Sequence, residues 1–232
     1  MECGTLPATL SGTLERRLLT TVLCDLPGLT AAADAAHPED GSAVLNEYHA
    51  VVGAIIDGHG GVVDKIVGDD VAGVFGLLVA RKDDPVRAVR AALRIVDDLE
   101  KLARPDGAPL LVRVGVETGE ALVRPGVAPG SGRGLLDGWE ISMAARVLAA
   151  APLGHVAVGA LTQRLTAGVF EYEALPIRSI RRDSDRVAAW LAKAPTARSQ
   201  VRWTARGPAV GRRAVREDAR GVGDRRQAAG QP

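Results

Sequence analysis

The first third of the chain is patterned as a strand, a long helix and a tight hairpin, and this order restricts the possible folds more than any other feature. An apolar, β-branched run predicts a strand over Leu18–Leu26. Apolar residues at helical spacing predict a helix over Pro38–Gly58, ended by glycines that tolerate positive φ. Two further apolar runs, Val62–Val67 and Val71–Phe75, predict a strand pair that turns at Gly68-Asp69-Asp70.

The rest of the chain continues the alternation. Asp83-Asp84-Pro85 suits a helix N-terminus, and apolar residues recur on one face of the helix predicted after it. The further predicted elements are a second hairpin of strands Leu110–Val116 and Glu120–Val123 turning at Thr118-Gly119, a helix over Gly138–Ala150, a strand over His155–Val158, and closing strands Val169–Leu175, Ile177–Ile180 and Val187–Leu191. Mixed element order with two hairpins predicts an α+β fold with a mostly antiparallel sheet.

Two aspartates, Asp25 and Asp69, lie where predicted strands end. Carboxylates at adjacent strand ends can hold two divalent cations about 3.5–4 Å apart, a spacing that clamps both the attacking and the leaving oxygen at phosphorus. An aspartate after a strand can also be a simple helix cap, and that alternative stays open for Asp25 alone. The pair together favours a phosphoryl-transfer site.

These residues occur in an ordered series of motifs that resembles the class III adenylate and guanylate cyclases. The family pattern Asp-Leu-x-Gly-Phe-Thr corresponds to Asp25-Leu-Pro-Gly-Leu-Thr30, and His-Gly-Gly-x-x-x-Lys-x-x-Gly-Asp corresponds to residues 59–69. Matching segments continue through Asp83–Leu93, Arg113–Glu120 and Ala144-Ala145-Arg146. The resemblance covers roughly residues 16–192 and implies the family's ferredoxin-like core. We therefore expect an N-terminal extension over residues 1–15, a cyclase domain over 16–196 and an Arg/Gly/Ala-rich tail over 197–232.

The resemblance also implies a metal site and a phosphate site. It makes Asp25 and Asp69 ligands of two Mg²⁺ or Mn²⁺ ions, with Leu26 among the metal-site residues. The residues Gly28, Leu29 and Thr30 lead to a helix N-terminus whose N–H groups can receive phosphate oxygens. Asp70, where the family has a small residue, is expected to face away as a solvated turn residue.

Five further residues carry substrate roles only by resemblance. Lys65 donates to the purine ring, Arg146 stabilises charge at the α-phosphate, and Arg181 takes the place of a lysine that holds the terminal phosphates. The structural alternatives are an exposed lysine and a surface salt bridge for Lys65 and Arg146. Two positions depart from the family: Ser142 replaces an asparagine, and Leu135 replaces the residue that reads the purine amino group.

Charge and composition restrict the remaining possibilities. The segment 197–232 holds nine arginines and three acids, which leaves residues 1–196 with 20 basic and 25 acidic residues. A mildly acidic domain argues against a nucleic-acid-binding surface, and the basic tail has a composition typical of disorder. The chain has two cysteines, Cys3 and Cys24, and no apolar run of about 20 residues that would span a bilayer. We expect a cytoplasmic protein without a membrane span.

Three functional hypotheses follow. The first is a nucleotidyl cyclase that forms cyclic AMP from ATP, or acts on GTP, as a head-to-tail homodimer in which Arg146 serves the partner's site. The second is a degenerate cyclase-homology domain that binds nucleotide or a partner without turnover, which Leu135 and Ser142 favour. The third, a diguanylate cyclase, lacks its Gly-Gly-Asp/Glu-Glu-Phe hairpin, since residues 68–71 are Gly-Asp-Asp-Val.

Overall fold

The computed structural model describes residues 15–27, 38–102, 107–123, 139–176 and 187–196. This part of the chain contains seven strands and four helices. Their order is β1 Glu15–Asp25, α1 Pro38–Gly58, β2 Val62–Val67, β3 Asp70–Phe75, α2 Asp84–Glu100, β4 Arg113–Val123, α3 Trp139–Ala150, β5 His155–Gly159, α4 Ala160–Thr166, β6 Phe170–Ala174 and β7 Ala189–Pro195.

The strands form one open sheet in the order β2-β3-β1-β4-β5-β7-β6. The pair β4–β5 is parallel, and the other described pairs are antiparallel. The first four strands and two helices follow the order β1-α1-β2-β3-α2-β4, with β1 and β3 at the centre of that half. This is the ferredoxin-like arrangement, so the predicted α+β fold class is confirmed.

Helices cover both faces of the sheet. A side chain at Gly73 would meet Ile56 of α1 at 2.6 Å, and one at Gly115 would meet the backbone of Leu148 in α3 at 2.6 Å. Gly73 lies opposite Val22, and Gly115 lies opposite the next residue of β1, Leu23. Because successive strand residues point to opposite faces, α1 and α3 lie on opposite sides, here called the α1 face and the α3 face.

The main core lies on the α1 face, between the sheet and the helices α1 and α2. Its largest fully buried side chains include Val22, Tyr48, Val52, Ile56, Phe75, Ile95 and Leu99. Each such side chain contributes roughly 1.5–3 kcal/mol through its removal from water. A smaller cluster on the α3 face joins Leu23 and Ala72 to Ala144 and Leu148. The helix α3 is therefore fixed to the strands that carry the candidate site.

The sequence prediction of a second hairpin is wrong. The segment predicted as a hairpin through Thr118-Gly119 is the single strand β4, which pairs with all eleven residues of β1 from Glu15↔Val123 to Asp25↔Arg113. Thr118 and Gly119 are ordinary ladder residues opposite Thr20 and Leu19. A Thr-Gly pair alone suggested a turn, but the long partner strand β1 continues the pairing straight through it.

The remaining differences are at the C-terminal half. The helix α4 was missed because only seven residues form it, and it is fixed by burial of Thr162 and Thr166 rather than by a periodic apolar face. The last strand is Ala189–Pro195 instead of Val187–Leu191. The predicted strand Ile177–Ile180 and most of the predicted extension and tail lie outside the described residues.

Candidate active site

The end of β1 carries Asp25, whose carboxylate accepts a hydrogen bond from the guanidinium of Arg113 on β4. The two residues are directly opposite in the β1–β4 ladder, so both side chains lie on the α3 face. The side chain of Asp25 is 16% exposed and that of Arg113 is 32% exposed. The next residue, Leu26, is fully buried, and because its hydrocarbon side chain has no ligand atom, only its main-chain carbonyl could contact a metal.

Asp69 lies in the two-residue turn between β2 and β3, where Val67 pairs with Asp70. Gly68 takes the first turn position with φ of 59°, a conformation that residues with a Cβ rarely adopt. The side chain of Asp69 follows directly from this turn and is half-buried. Sequence and local geometry therefore bring a second carboxylate to the sheet end where Asp25 lies.

Asp70 adds a third carboxylate: the residue is exposed, as expected of a solvated position, but it lies on the face of Asp25 rather than facing away. Cys24 and Val71 are ladder partners, and continuing that register by one residue brings Asp70 beside Asp25 on the same face. The pKa of Asp70 is raised by partial burial and by the charges of Asp25 and Asp69, while Arg113 opposes the rise. Asp70 begins strand β3 rather than ending the turn, so the strand's alternation directs it toward the site.

Tyr48 of α1 lies near the same three carboxylates. Its hydroxyl is buried beneath the site, and its pKa is raised by burial first and then by Cys24, Asp25, Asp70 and Asp69. Three carboxylates near one another repel, and a divalent cation would relieve that repulsion.

The donor chemistry fits Mg²⁺ or Mn²⁺. In the described part of the chain, no group of three or more His, Cys, Asp or Glu side chains is arranged to hold a metal ion. Mg²⁺ is commonly held by one or two carboxylates, with water and substrate phosphates completing its coordination. Two carboxylates, those of Asp25 and Asp69, would suffice for such a site, in which phosphate oxygens would supply further ligands.

The other predicted residues lie on different elements. Lys65 is exposed on β2, opposite Ala72 of β3. Ser142 and Arg146 are one turn apart on α3, where Ser142 is exposed and Arg146 is half-buried, with Nη1 3.8 Å from Sδ of Met143. The positions Gly28, Leu29, Thr30, Leu135 and Arg181 lie outside the described residues.

Residues 16–190 match the family model described as the adenylate and guanylate cyclase catalytic domain. The chain belongs to this family. An uncharacterized protein of Rhizobium meliloti is 31% identical over 159 residues, which cover 68% of this chain and 16% of that protein. An adenylate cyclase of Mycobacterium tuberculosis is 28% identical over 141 residues, or 60% of this chain and 31% of the relative. The chain thus spans well under two thirds of the length of these relatives.

Solved structures share the fold of this cyclase domain. The adenylyl cyclase CyaB from P. aeruginosa superposes with a TM-score of 0.69 at 23% identity, covering 80% of this chain and 98% of that one. The guanylate cyclase domain of RhGC from Catenaria anguillulae in complex with GTP gives a TM-score of 0.68 at 22% identity, covering 78% and 100%. Adenylyl and guanylyl cyclases thus resemble this cyclase domain about equally in fold.

Several of the motif residues that suggested the family are structural in this cyclase domain. Arg87 of α2 donates to the carbonyl of His59 at 2.6 Å and pairs with the buried carboxylate of Asp84. Gly61 has no room for a side chain, because a Cβ there would lie 2.7 Å from the ring of Phe75. The His-Gly-Gly segment and the residues after β3 are therefore joined to the start of α2, and this junction holds the β2–β3 hairpin at its base.

Arg113 is the residue of the candidate site that sequence reasoning missed. It was read only as part of the motif Arg113–Glu120 on a strand that appeared to be half of a hairpin. Pairing the whole of β4 with β1 would have placed it opposite Asp25, but that register becomes evident only in the sheet.

None of the described helices is long and apolar enough to cross a membrane.

Proposed function

We propose that this domain is a nucleotidyl cyclase that converts ATP to 3′,5′-cyclic AMP and pyrophosphate. The observation that carries the proposal is the placement of Asp25, Asp69 and Asp70 at the same end of the neighbouring strands β1 and β3, with Arg113 of β4 paired to Asp25. In the reaction the ribose 3′-hydroxyl loses its proton to solvent and its oxygen forms a bond to the α-phosphorus, while the bond from that phosphorus to the bridging oxygen breaks and pyrophosphate leaves. Two Mg²⁺ or Mn²⁺ ions, when bound, lower the pKa of the 3′-hydroxyl and neutralise the triphosphate.

The residues of the domain divide this work. Asp25 and Asp69 hold the cations, with the main-chain carbonyl of Leu26 beside them. Arg113 fixes the orientation of Asp25 through their ion pair, and its planar guanidinium suits a phosphate oxygen as well. Lys65, exposed on the hairpin, donates to the purine ring.

The rest of the substrate contacts come from segments outside the described residues and from a second copy. Gly28, Leu29 and Thr30 receive phosphate oxygens, and Arg181 holds the terminal phosphates. Arg146 and Ser142 lie on α3, and in our proposal they complete the site of a partner in a head-to-tail homodimer. Because its substrate is ATP, we place the reaction in the cytoplasm.

The apolar side chain of Leu135 favours ATP over GTP as the substrate. Leucine cannot accept a hydrogen bond from a purine amino group, and guanine would bring more polar edge groups that need partners. Base recognition then rests on Lys65, so discrimination is worth only about 1–3 kcal/mol.

A second candidate function is a cyclase-homology domain that binds nucleotide without turnover. The observation in its favour is the ion pair itself, since Arg113 occupies the carboxylate of Asp25 that a cation requires. Ser142 is also shorter than the asparagine it replaces, so a ribose contact would need a bridging water.

A complementation assay separates the two candidates. Asp25→Ala and Arg146→Ala chains should each be inactive with ATP or GTP in Mn²⁺ or Mg²⁺, and their mixture should regain activity through heterodimers with one intact site. Asp97→Ala, at an exposed position of α2, is the matched control and should keep wild-type turnover. No cyclic product from the wild-type chain supports the second candidate, whereas an active wild type whose variants exchange subunits without regaining activity refutes the shared site.

A further inference from the structure

His49 makes a contact that the proposed mechanism does not use. It lies on α1, with its ring centroid 5.4 Å from that of the buried Tyr48. Its Nε2 is 2.8 Å from the carbonyl oxygen of Gly68 in the β2–β3 turn. A carbonyl oxygen only accepts, so Nε2 carries the proton and donates it.

The turn that receives this hydrogen bond extends past the packed part of the sheet. The β1–β3 ladder reaches Cys24↔Val71, so β1 supports β3 up to the residue next to Asp70. On the outer side, β2 is the edge strand, and the residues from Lys65 through Gly68 of the turn are exposed. Packing therefore restrains the tip of the hairpin weakly, and a tertiary hydrogen bond there adds a restraint that packing does not supply.

The acceptor makes the contact relevant to Asp69. The carbonyl of Gly68 and the amide of Asp69 belong to one planar peptide unit, so holding that oxygen fixes the orientation of the peptide that leads into Asp69. Gly68 has φ of 59° and no Cβ, and a glycine can leave that conformation at little steric cost. The hydrogen bond from His49 opposes such a rearrangement.

We propose that His49 is a positioning residue that holds the Gly68–Asp69 peptide, and through it the Asp69 carboxylate, in the orientation that binds a divalent cation. The inference rests on the proposed function for the role of Asp69, but the contact itself is independent of turnover. Loss of one hydrogen bond of ordinary strength corresponds to roughly a three- to tenfold change in an equilibrium constant. The expected effect is on cation binding rather than on the purine.

Three substitutions at His49 separate its hydrogen bond from its ring. His49→Ala removes both, His49→Phe keeps a ring without a donor, and His49→Gln keeps an N–H donor at about the same reach. We expect His49→Ala and His49→Phe to raise the Mn²⁺ concentration for half-maximal activity roughly three- to tenfold, with the KM for ATP at saturating Mn²⁺ nearly unchanged. His49→Gln should restore the wild-type Mn²⁺ response, and Glu47→Gln, at an exposed neighbour on α1, should leave it unaltered.

Hydrogen exchange of the peptide spanning residues 62–75 gives a readout that needs no activity. His49→Ala and His49→Phe should speed exchange at the turn, while exchange in α2 stays at the wild-type rate. If the wild-type chain makes no cyclic product, the proposed function fails, and the contact is still judged by exchange. Unchanged exchange in His49→Ala refutes the contact. Faster exchange with an unchanged Mn²⁺ response, or a His49→Phe variant that behaves like wild type, refutes the positioning role.

Discussion

Replacing Gly115 by alanine should displace α3 from the sheet. A Cβ at this position would lie 2.6 Å from the backbone nitrogen of Leu148 and 2.7 Å from its Cα. Non-bonded heavy atoms pack at about 3.5 Å or more, so the backbone of α3 would have to retreat by roughly 1 Å. Shortening the Leu148 side chain would not relieve the overlap, because two of the three contacting atoms belong to the helix backbone.

The cost follows from the geometry. Overpacking of a close contact destabilises a protein by about 1–3 kcal/mol, which for a chain of this size lowers the unfolding midpoint by roughly 2–12 °C. Because α3 carries Arg146, a displacement of roughly 1 Å should also lower turnover by up to about 100-fold in an active dimer.

Gly119→Ala is the matched control. Gly119 lies four positions beyond Gly115 on the same strand, and a Cβ there meets nothing within 4 Å. Alanine is favoured over glycine inside a strand by roughly 0.5–1 kcal/mol, so this variant should be as stable as wild type or slightly more so. Thermal unfolding followed by circular dichroism measures both variants. Equal midpoints for Gly115→Ala and Gly119→Ala would show that α3 does not pack on β4 as described.

Three further predictions concern stability, pH and base choice. Arg87→Ala leaves the buried Asp84 carboxylate without its ion-pair partner and should lower the free energy of unfolding in urea by about 3–5 kcal/mol. Arg94→Ala, from an exposed pair, should lower it by less than about 1 kcal/mol. Similar losses in the two variants would contradict the burial of the Arg87–Asp84 pair. Burial raises the pKa of Glu117 from 4.5 to about 7, so the folded state binds its proton more tightly and stability should fall as pH rises through that interval. Glu117→Gln should reduce this loss of stability. A thermal unfolding midpoint of the wild-type chain that stays constant between about pH 5 and about pH 8 would refute the raised pKa of Glu117. Leu135→Thr should raise selectivity for ATP in competition with GTP and lower the KM for ATP, and unchanged selectivity would mean that another residue reads the base.

The location of the two aspartates could be predicted because local sequence decides it. Each aspartate is marked by a local signal: an apolar run breaks at Asp25, and a Gly68-Asp69 turn separates two short strands. Each signal spans only about ten neighbouring residues. The helix Pro38–Gly58 was predicted with its observed bounds for the same reason, since its apolar spacing and its terminal glycines are local signals.

The composition of the site around these aspartates depends on strand register, which no local pattern encodes. Arg113 faces Asp25 across 88 positions of sequence, and Asp70 joins them because β3 pairs with β1 in one register rather than a neighbouring one. A shift of one residue would turn either side chain to the other face of the sheet. Sequence alone determined the family pattern, the two aspartates and most of the elements. Only the packed sheet decided that Arg113 and Asp70 lie beside Asp25 and that His49 contacts the Gly68 carbonyl, because pairing and packing join residues distant in sequence.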